Sequence, residues 1–258
     1  MLATAGAAHA IHIAVYTETT QWIGQGLAQQ EANVFMGEMD GAAGVDSIEN
    51  VGLADMEQWT IDHTVDNGGN LIVMYGDFPE TIYPGGNAEP DGSLAEEFLD
   101  AGNSFSNSND YFFWGVGGRN SEGGIQNMMD IPGIVQWDDN TPLTTTVEGA
   151  EVMPSMPNDV ESDRPFHVDQ LEGAWVLEVA FASNTGDQDP TRCDPCIILD
   201  EDTNGRLIQV HQTNGLVYEE GLALAEILKN YYLDSVGALS VDPQDKLSTS
   251  WAELKTRR

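Results

Sequence analysis

Apolar residues along the chain come in two patterns: short unbroken runs, and stretches where they recur every three or four positions. "IHIAVYT" (11–17) is a β-branched apolar run, which suits a strand buried on both faces. "TTQWIGQGLAQQEAN" (19–33) sets Trp22, Ile23 and Leu27 at helical spacing, and "DMEQWTIDHTV" (55–65) predicts a second helix. "NLIVMYG" (70–76) is a second buried strand, entered through the turn "DNGG". A polar, Pro- and Gly-rich loop covers 77–92. "SLAEEFLDAG" (93–102) is a helix with both ends marked: Ser93 and Glu96 have capping-box spacing, and Gly102 is placed for the C-cap.

"DYFFWGVGG" (110–118) predicts a third strand running into glycines, and "GGIQNMMDIPG" (123–133) a short helix closed before Pro132. The stretch 134–165 is irregular, with "TPLTTTVEGAEVMP" offering a strand pair. "AWVLEVAFA" (174–182) is a strand. "CIILD" (196–200) and "GRLIQVH" (205–211) flank Asn204-Gly205, a strong hairpin signal. In "YEEGLALAEILKNYYL" (218–233), Leu224, Ile227, Leu228 and Tyr231 share one helical face. Alternating strands and helices predict an α/β fold: a mostly parallel sheet, helices on both faces and a late β-hairpin. One α/β domain would span 11–235, after a disordered or signal-derived start (1–10) and before a tail or linker (236–258). Ligands in such folds bind at the carboxyl ends of strands. That points to Thr17-Glu18, Gly76-Asp77, Gly115 to Asn120, and His211-Gln212.

Charge narrows the partners. The 258 residues include 43 Asp and Glu against 9 Lys and Arg, a net charge of −34. Four of the basic residues (Lys246, Lys255, Arg257, Arg258) lie near the C-terminus. Such a surface repels nucleic acid and anionic membranes. It suits a marine or halophilic setting, where salt screens self-repulsion; a calcium-rich or acidic extracellular medium is the alternative. No apolar run approaches the roughly 20 residues that span a bilayer. The start "MLATAGAAHA" has an A-x-A pattern at Ala8-His9-Ala10 without the charged and apolar regions of a full signal. It reads as a signal remnant, giving a secreted or periplasmic protein, or else as an Ala-rich disordered start. Cys193 and Cys196 in "CDPC" lack the further ligands zinc needs and precede a strand, not a helix. A local disulfide is the expectation, two plain thiols the alternative.

Several residues carry candidate chemistry. His211 ends a strand and can act as a base or ligand, or be hydrogen-bonded locally. Glu18 and Asp77 follow strands and with His211 could serve as acid/base groups or metal ligands; solvated loop carboxylates are the alternative. Arg119, beside Gly117, Gly118 and Asn120, could bind an anion in a backbone nest or pair with one of many acids. "DEDTNG" (200–205) fits the first half of a calcium loop through Asp200, Asp202 and Asn204, but its strand-like flanks favour a hairpin turn. Arg164 and His167 could line a pocket from a neighbouring loop. Phe112, Phe113 and Trp114 read as core rather than as a sugar-stacking platform.

The order of elements over 11–233 resembles the class I glutamine amidotransferase-like fold, and within it the trehalose-utilisation-type (ThuA-like) proteins. "GRLIQVHQTN" is similar to that fold's histidine strand, G-x-x-x-G-x-Q-F-H-P-E, with Gln209 and His211 in the Gln and His places. Gln212-Thr213 stands where Pro-Glu should follow. The nucleophile turn G-x-C-x-G would fall on "YFFWGVGGRN", with Gly117 in the cysteine's place, and glycine cannot form an acyl-enzyme. The resemblance therefore implies an amidotransferase-like domain without glutaminase activity. It would bind or process a small polar ligand, a carbohydrate among the candidates, at the strand ends through His211, Asp77 and Glu18, with Gly117, Gly118, Arg119, Asn120 and Gln212 as binding residues. The alternatives are a metal-assisted hydrolase using Glu18, Asp77 and His211, and an interaction module of an extracellular assembly. The sequence names no cofactor and no oligomeric state.

Overall fold

The two apolar runs near the start become central strands. In the computed structural model, which describes residues 10–64, 68–84, 92–108, 111–115, 120–210 and 218–238, β1 is Ile11–Tyr16 and β3 is Leu71–Tyr75. Between them come α1 (Gln25–Met39), β2 (Val45–Asn50) and α2 (Leu53–Thr64). Then follow α3 (Leu94–Asp100), β4 (Ser104–Ser108) and α4 (Gly123–Met128). Next are β5 (Thr141–Thr145), α5 (Val147–Val152), β6 (Asp159–Ser162), β7 (Phe166–His167) and β8 (Trp175–Ala180). The chain continues with β9 (Ala182–Ser183), β10 (Arg192–Cys193), β11 (Cys196–Asp200) and β12 (Arg206–Val210). It closes with α6 (Glu220–Ile227), which runs through a π turn at Leu228–Tyr232 into α7 (Leu233–Ser235).

A seven-stranded sheet has the order β2-β1-β3-β4-β12-β11-β8. Its first five strands are parallel, and the hairpin β11–β12 brings in β11 and then β8 antiparallel. A five-stranded antiparallel sheet has the order β6-β5-β9-β10-β7. Side chains alternate across the large sheet. Ile13, Val15, Leu71, Val73, Tyr75 and Ile208 pack with Phe35 of α1 and Leu224 of α6. Ala14, Tyr16, Ile72, Met74 and Phe105 pack with Trp59 of α2, Phe98 of α3 and Ile125 of α4. Helices thus cover both faces, as a mostly parallel sheet requires. Among the described residues no helix is long and apolar enough to cross a membrane.

Several elements differ from expectation. The strand expected over 110–118 is a turn at 111–115, and the strand itself is the preceding "SFSNS", buried at all five positions. Its apolar content is one phenylalanine, so no hydrophobic run marks it; strand formation there is dictated by its neighbours on both sides. Phe112 and Phe113 are nevertheless core. The first helix starts at Gln25 instead of Thr19 because the preceding loop crosses the end of β3, where the Thr19 carbonyl accepts from Asp77 N. Trp22, expected on the helix, is 55% exposed. β2, half-exposed at the sheet edge, has no apolar run to announce it. "TPLTTTVEGAEVMP" splits into β5 and α5, and the strand partner of β5 is β6. Gly149 makes α5 possible at that place, since a Cβ there would lie 1.9 Å from the Phe181 carbonyl. Ser93 caps α3 as expected, accepting from Glu96 N at 3.2 Å. The expected disulfide is also corrected: Cys193 and Cys196 are buried free thiols. The turn between them carries the chain from the antiparallel sheet into the large one, so each thiol packs in the core, and Cys196 Sγ donates to the Cys193 carbonyl at 3.6 Å.

Candidate functional site

The carboxyl ends of β1, β3, β4 and β12 lie along one edge of the sheet. The order β2-β1-β3 makes the space between β1 and β3 the switch point, where a crevice is expected. Here the chain itself closes over it. Gly76 adopts φ +124°, and a Cβ at that position would lie 2.7 Å from Thr19 O. Asp77 is 2% exposed, with its N–H donated to Thr19 O at 3.0 Å. Glu18 Oε2 accepts from Leu53 N at 2.7 Å, placing a carboxylate at the start of α2, where the helix dipole favours it. The Tyr16 hydroxyl bonds Thr19 Oγ1 at 2.8 Å. Burial raises the Tyr16 pKa against the lowering effect of that bond, and the charges of Glu18, Asp77 and Glu80 raise it further. Glu18 and Asp77 are therefore brought to one part of the edge, around Tyr16.

A second group, further along the same edge, was not found in the sequence. Tyr75 ends β3, Ser108 ends β4, and Glu220 opens α6 directly over them. The Ser108 hydroxyl donates to Glu220 Oε2. Glu31, on the buried face of α1, accepts from Gly221 N at 2.9 Å through Oε2. The helices touch there: a Cβ on Gly221 would lie 2.1 Å from the Glu31 carbonyl. Glu31 and Glu220 are both fully buried. Among the described residues Glu31 Oε1 and the Tyr75 hydroxyl have no hydrogen-bond partner. Burial pushes the Tyr75 pKa well up, and the charges of Glu220 and Glu31 push it further. Tyr218 is raised in the same way by burial, then by Asp194 and Glu220. Ser162 Oγ donates to Asp194 Oδ2 at 2.5 Å. A string of buried polar groups thus leads from the strand edge toward the antiparallel sheet. The available sequence signal was a glutamate inside an apolar stripe, Glu31 beside Ala28, Ala32 and Phe35.

The remaining candidates separate into several places. His211, Gln212, Gly117, Gly118 and Arg119 lie outside the described residues. Asn120 is buried and donates from Nδ2 to the Phe113 carbonyl at 2.9 Å, fixing a turn in which Phe113 has φ +59°. Gln209 Oε1 accepts from Gln136 Nε2 at 2.7 Å, and Gln209 Nε2 donates to the Arg164 carbonyl at 2.8 Å. Asp200 organises the β11–β12 turn, accepting from Asp202 N at 3.0 Å and from Thr203 Oγ1 at 2.8 Å; Asn204 follows at φ +65°. His167 is 4% exposed, and among the described residues neither ring nitrogen has a hydrogen-bond partner. Burial lowers its pKa, Arg192 adds to that, and Asp138 and Asp169 oppose it. Cys196 pairs with Gln209 at the same edge, but burial pushes its thiol well above the usual range. Among the described residues no three His, Cys, Asp or Glu side chains gather as metal ligands.

No family model and no curated protein matches the chain. It is similar to the solved structure of a thua-like protein from Bacteroides uniformis, at 12% identity and a TM-score of 0.46, over 89% of this chain and 93% of that one. It is also similar to a thua-like protein from Parabacteroides merdae, at 11% identity and a TM-score of 0.39, over 88% of this chain and 91% of that one.

Proposed function

We propose that the chain is a divergent amidotransferase-like domain that binds or processes a small, uncharged polar ligand at the carboxyl edge of β3, β4 and β12. One observation carries this reading: the Ser108–Glu220 pair is buried beside Glu31 Oε1 and a Tyr75 hydroxyl that lack hydrogen-bond partners among the described residues. Each buried polar group left unmatched costs about 1–3 kcal/mol, and such costs persist where a site needs the group. Carboxylates that accept and a phenol that donates suit the hydroxyl or amide groups of a neutral ligand. The net charge of −34 disfavours an anion. The parallel order β2-β1-β3-β4 agrees with flavodoxin-like sheets, which supports the amidotransferase-like reading. Glutamine hydrolysis is not part of the proposal. Both cysteines are buried, and Cys196, whose thiol burial holds protonated, is no nucleophile. A secreted life in saline surroundings fits the charge.

Thermal shift and calorimetry with monosaccharides, polyols and glutamine test the proposal. The expected result is saturable stabilisation by a hydroxylated probe, lost in Ser108→Ala and Glu220→Gln, with no ammonia released from glutamine. Stabilisation by no probe, or binding indifferent to both substitutions, overturns it.

A further inference from the structure

Glu31 carries a charge that no basic side chain described around it neutralises. It is fully buried on α1. Its Oε2 accepts from Gly221 N in the first turn of α6 at 2.9 Å, which sets about half a positive charge against it. Among the described residues the Arg and Lys side chains are all ion-paired elsewhere: Arg164 with Asp139, Arg192 with Asp138 and Asp169, Arg206 with Glu178, Lys229 with Glu38. We propose that Glu31 Oε1 and the Tyr75 hydroxyl oxygen bind a dehydrated monovalent metal cation, Na⁺ or K⁺, between the end of β3 and the start of α6.

A buried carboxylate is neutralised by a proton or by a cation. A proton removes the charge but leaves the neighbouring oxygens unmatched. Among the described residues Glu31 Oε1, the Tyr75 hydroxyl and Ser106 Oγ have no hydrogen-bond partner, and none of the three residues is more than 1% exposed. A cation answers the charge and the lone pairs together. Tyr75 and Ser108 are register partners on neighbouring strands, and Ser106 lies one pleat earlier on the same face as Ser108.

The phenol belongs to the same cluster as the carboxylates. After burial itself, the charges of Glu220 and Glu31 hold the Tyr75 proton on, so the hydroxyl offers a lone pair without adding a charge. Glu220 is engaged by the Ser108 hydroxyl. One uncompensated carboxylate matches one positive charge. A calcium ion takes about six to eight oxygens, usually with several carboxylates among them, and among the described residues no three acidic, imidazole or thiol ligands gather. The cation belongs to the folded chain with or without a second ligand. A neutral ligand at the same edge, as proposed above, can supply a hydroxyl oxygen to complete its shell.

The experiment measures the melting temperature of the full chain at fixed ionic strength and near-neutral pH, in NaCl, KCl or tetramethylammonium chloride, with no organic ligand. NaCl or KCl is expected to stabilise the fold saturably, and the bulky tetramethylammonium ion is not. The salt that acts at the lower concentration identifies the ion. Glu31→Gln keeps an acceptor for Gly221 N, so circular dichroism should show an intact fold, and the preference among cations should vanish. Tyr75→Phe should raise the half-saturating concentration about tenfold, and it decides the matter if Glu31→Gln does not fold. The proposal fails if the melting temperature follows ionic strength whatever the cation, or if the preference survives Glu31→Gln or is untouched by Tyr75→Phe. Stabilisation that comes with falling pH and not with any cation also overturns it, since a proton then neutralises Glu31. A hydroxylated probe that binds a chain without cation preference sinks this site and leaves the strand-edge reading in place. A cation preference in a chain that binds no such probe does the reverse.

Discussion

The two faces of the large sheet are packed by different means. Toward α2, α3 and α4 the contacts are rings: Phe78 with Phe113 at 4.9 Å, Phe78 with Phe105 at 5.2 Å, Phe98 with Phe105 at 5.3 Å. Toward α1 and α6 the same strand, β4, offers Ser104, Ser106 and Ser108. Tyr232 donates to Ser104 Oγ at 2.8 Å, Ser108 donates to Glu220, and Ser106 Oγ has no hydrogen-bond partner among the described residues. At β4 the ring side removes apolar area from water and asks only for shape. The serine side, set within the aliphatic packing of α1 and α6, buries polar atoms that need specific partners. At this strand, stability is therefore expected to reside mainly in the ring side, and chemistry in the other.

The largest test of that contrast is Phe105→Ala, which removes a fully buried ring with three aromatic neighbours or more. It should destabilise the fold by about 3–5 kcal/mol, read by chemical denaturation; a loss near zero would mean the rings are not the anchor. Smaller is Tyr232→Phe, which deletes the bonds to Ser104 Oγ and to Gly69 O at 2.9 Å. About 1 kcal/mol is expected, and a double-mutant cycle with Ser104→Ala should show the two residues coupled; additive effects would deny this face its specific partners. Smallest is a control outside both faces. The pKa of His167 is held below its ordinary value of 6.5 in the folded state, so the unfolded chain takes up the proton first as pH falls. The stability tied to this residue is complete above about 6.5 and is lost below it, down to the folded pKa. His167→Gln should flatten the melting temperature between roughly pH 7 and 5 relative to the parent; parallel profiles would show that another group titrates.

The contrast also explains what was legible in the sequence. "IHIAVYT" and "NLIVMYG" are buried by hydrophobicity alone, so their strands could be read directly. "SFSNS" is buried because Tyr232 and Glu220 reach it from a helix more than a hundred residues later, and no local pattern reports that. The aromatic run "YFFW" signalled burial correctly and conformation wrongly, since Phe113 packs in the core from a turn at positive φ. Asp77 and Glu18 were placed at strand ends by the rule for α/β sheets, and they do lie there. Glu31 matters through what it faces, which only tertiary structure decides.

The two thiols at the crossing from one sheet to the other give the protein a built-in clock. Both are fully buried, so a thiol reagent can react only when the seam between the sheets comes apart, and the rate of labelling times that opening. The seam between the two sheets can thus be watched without adding a probe, and compared with global unfolding in one and the same sample.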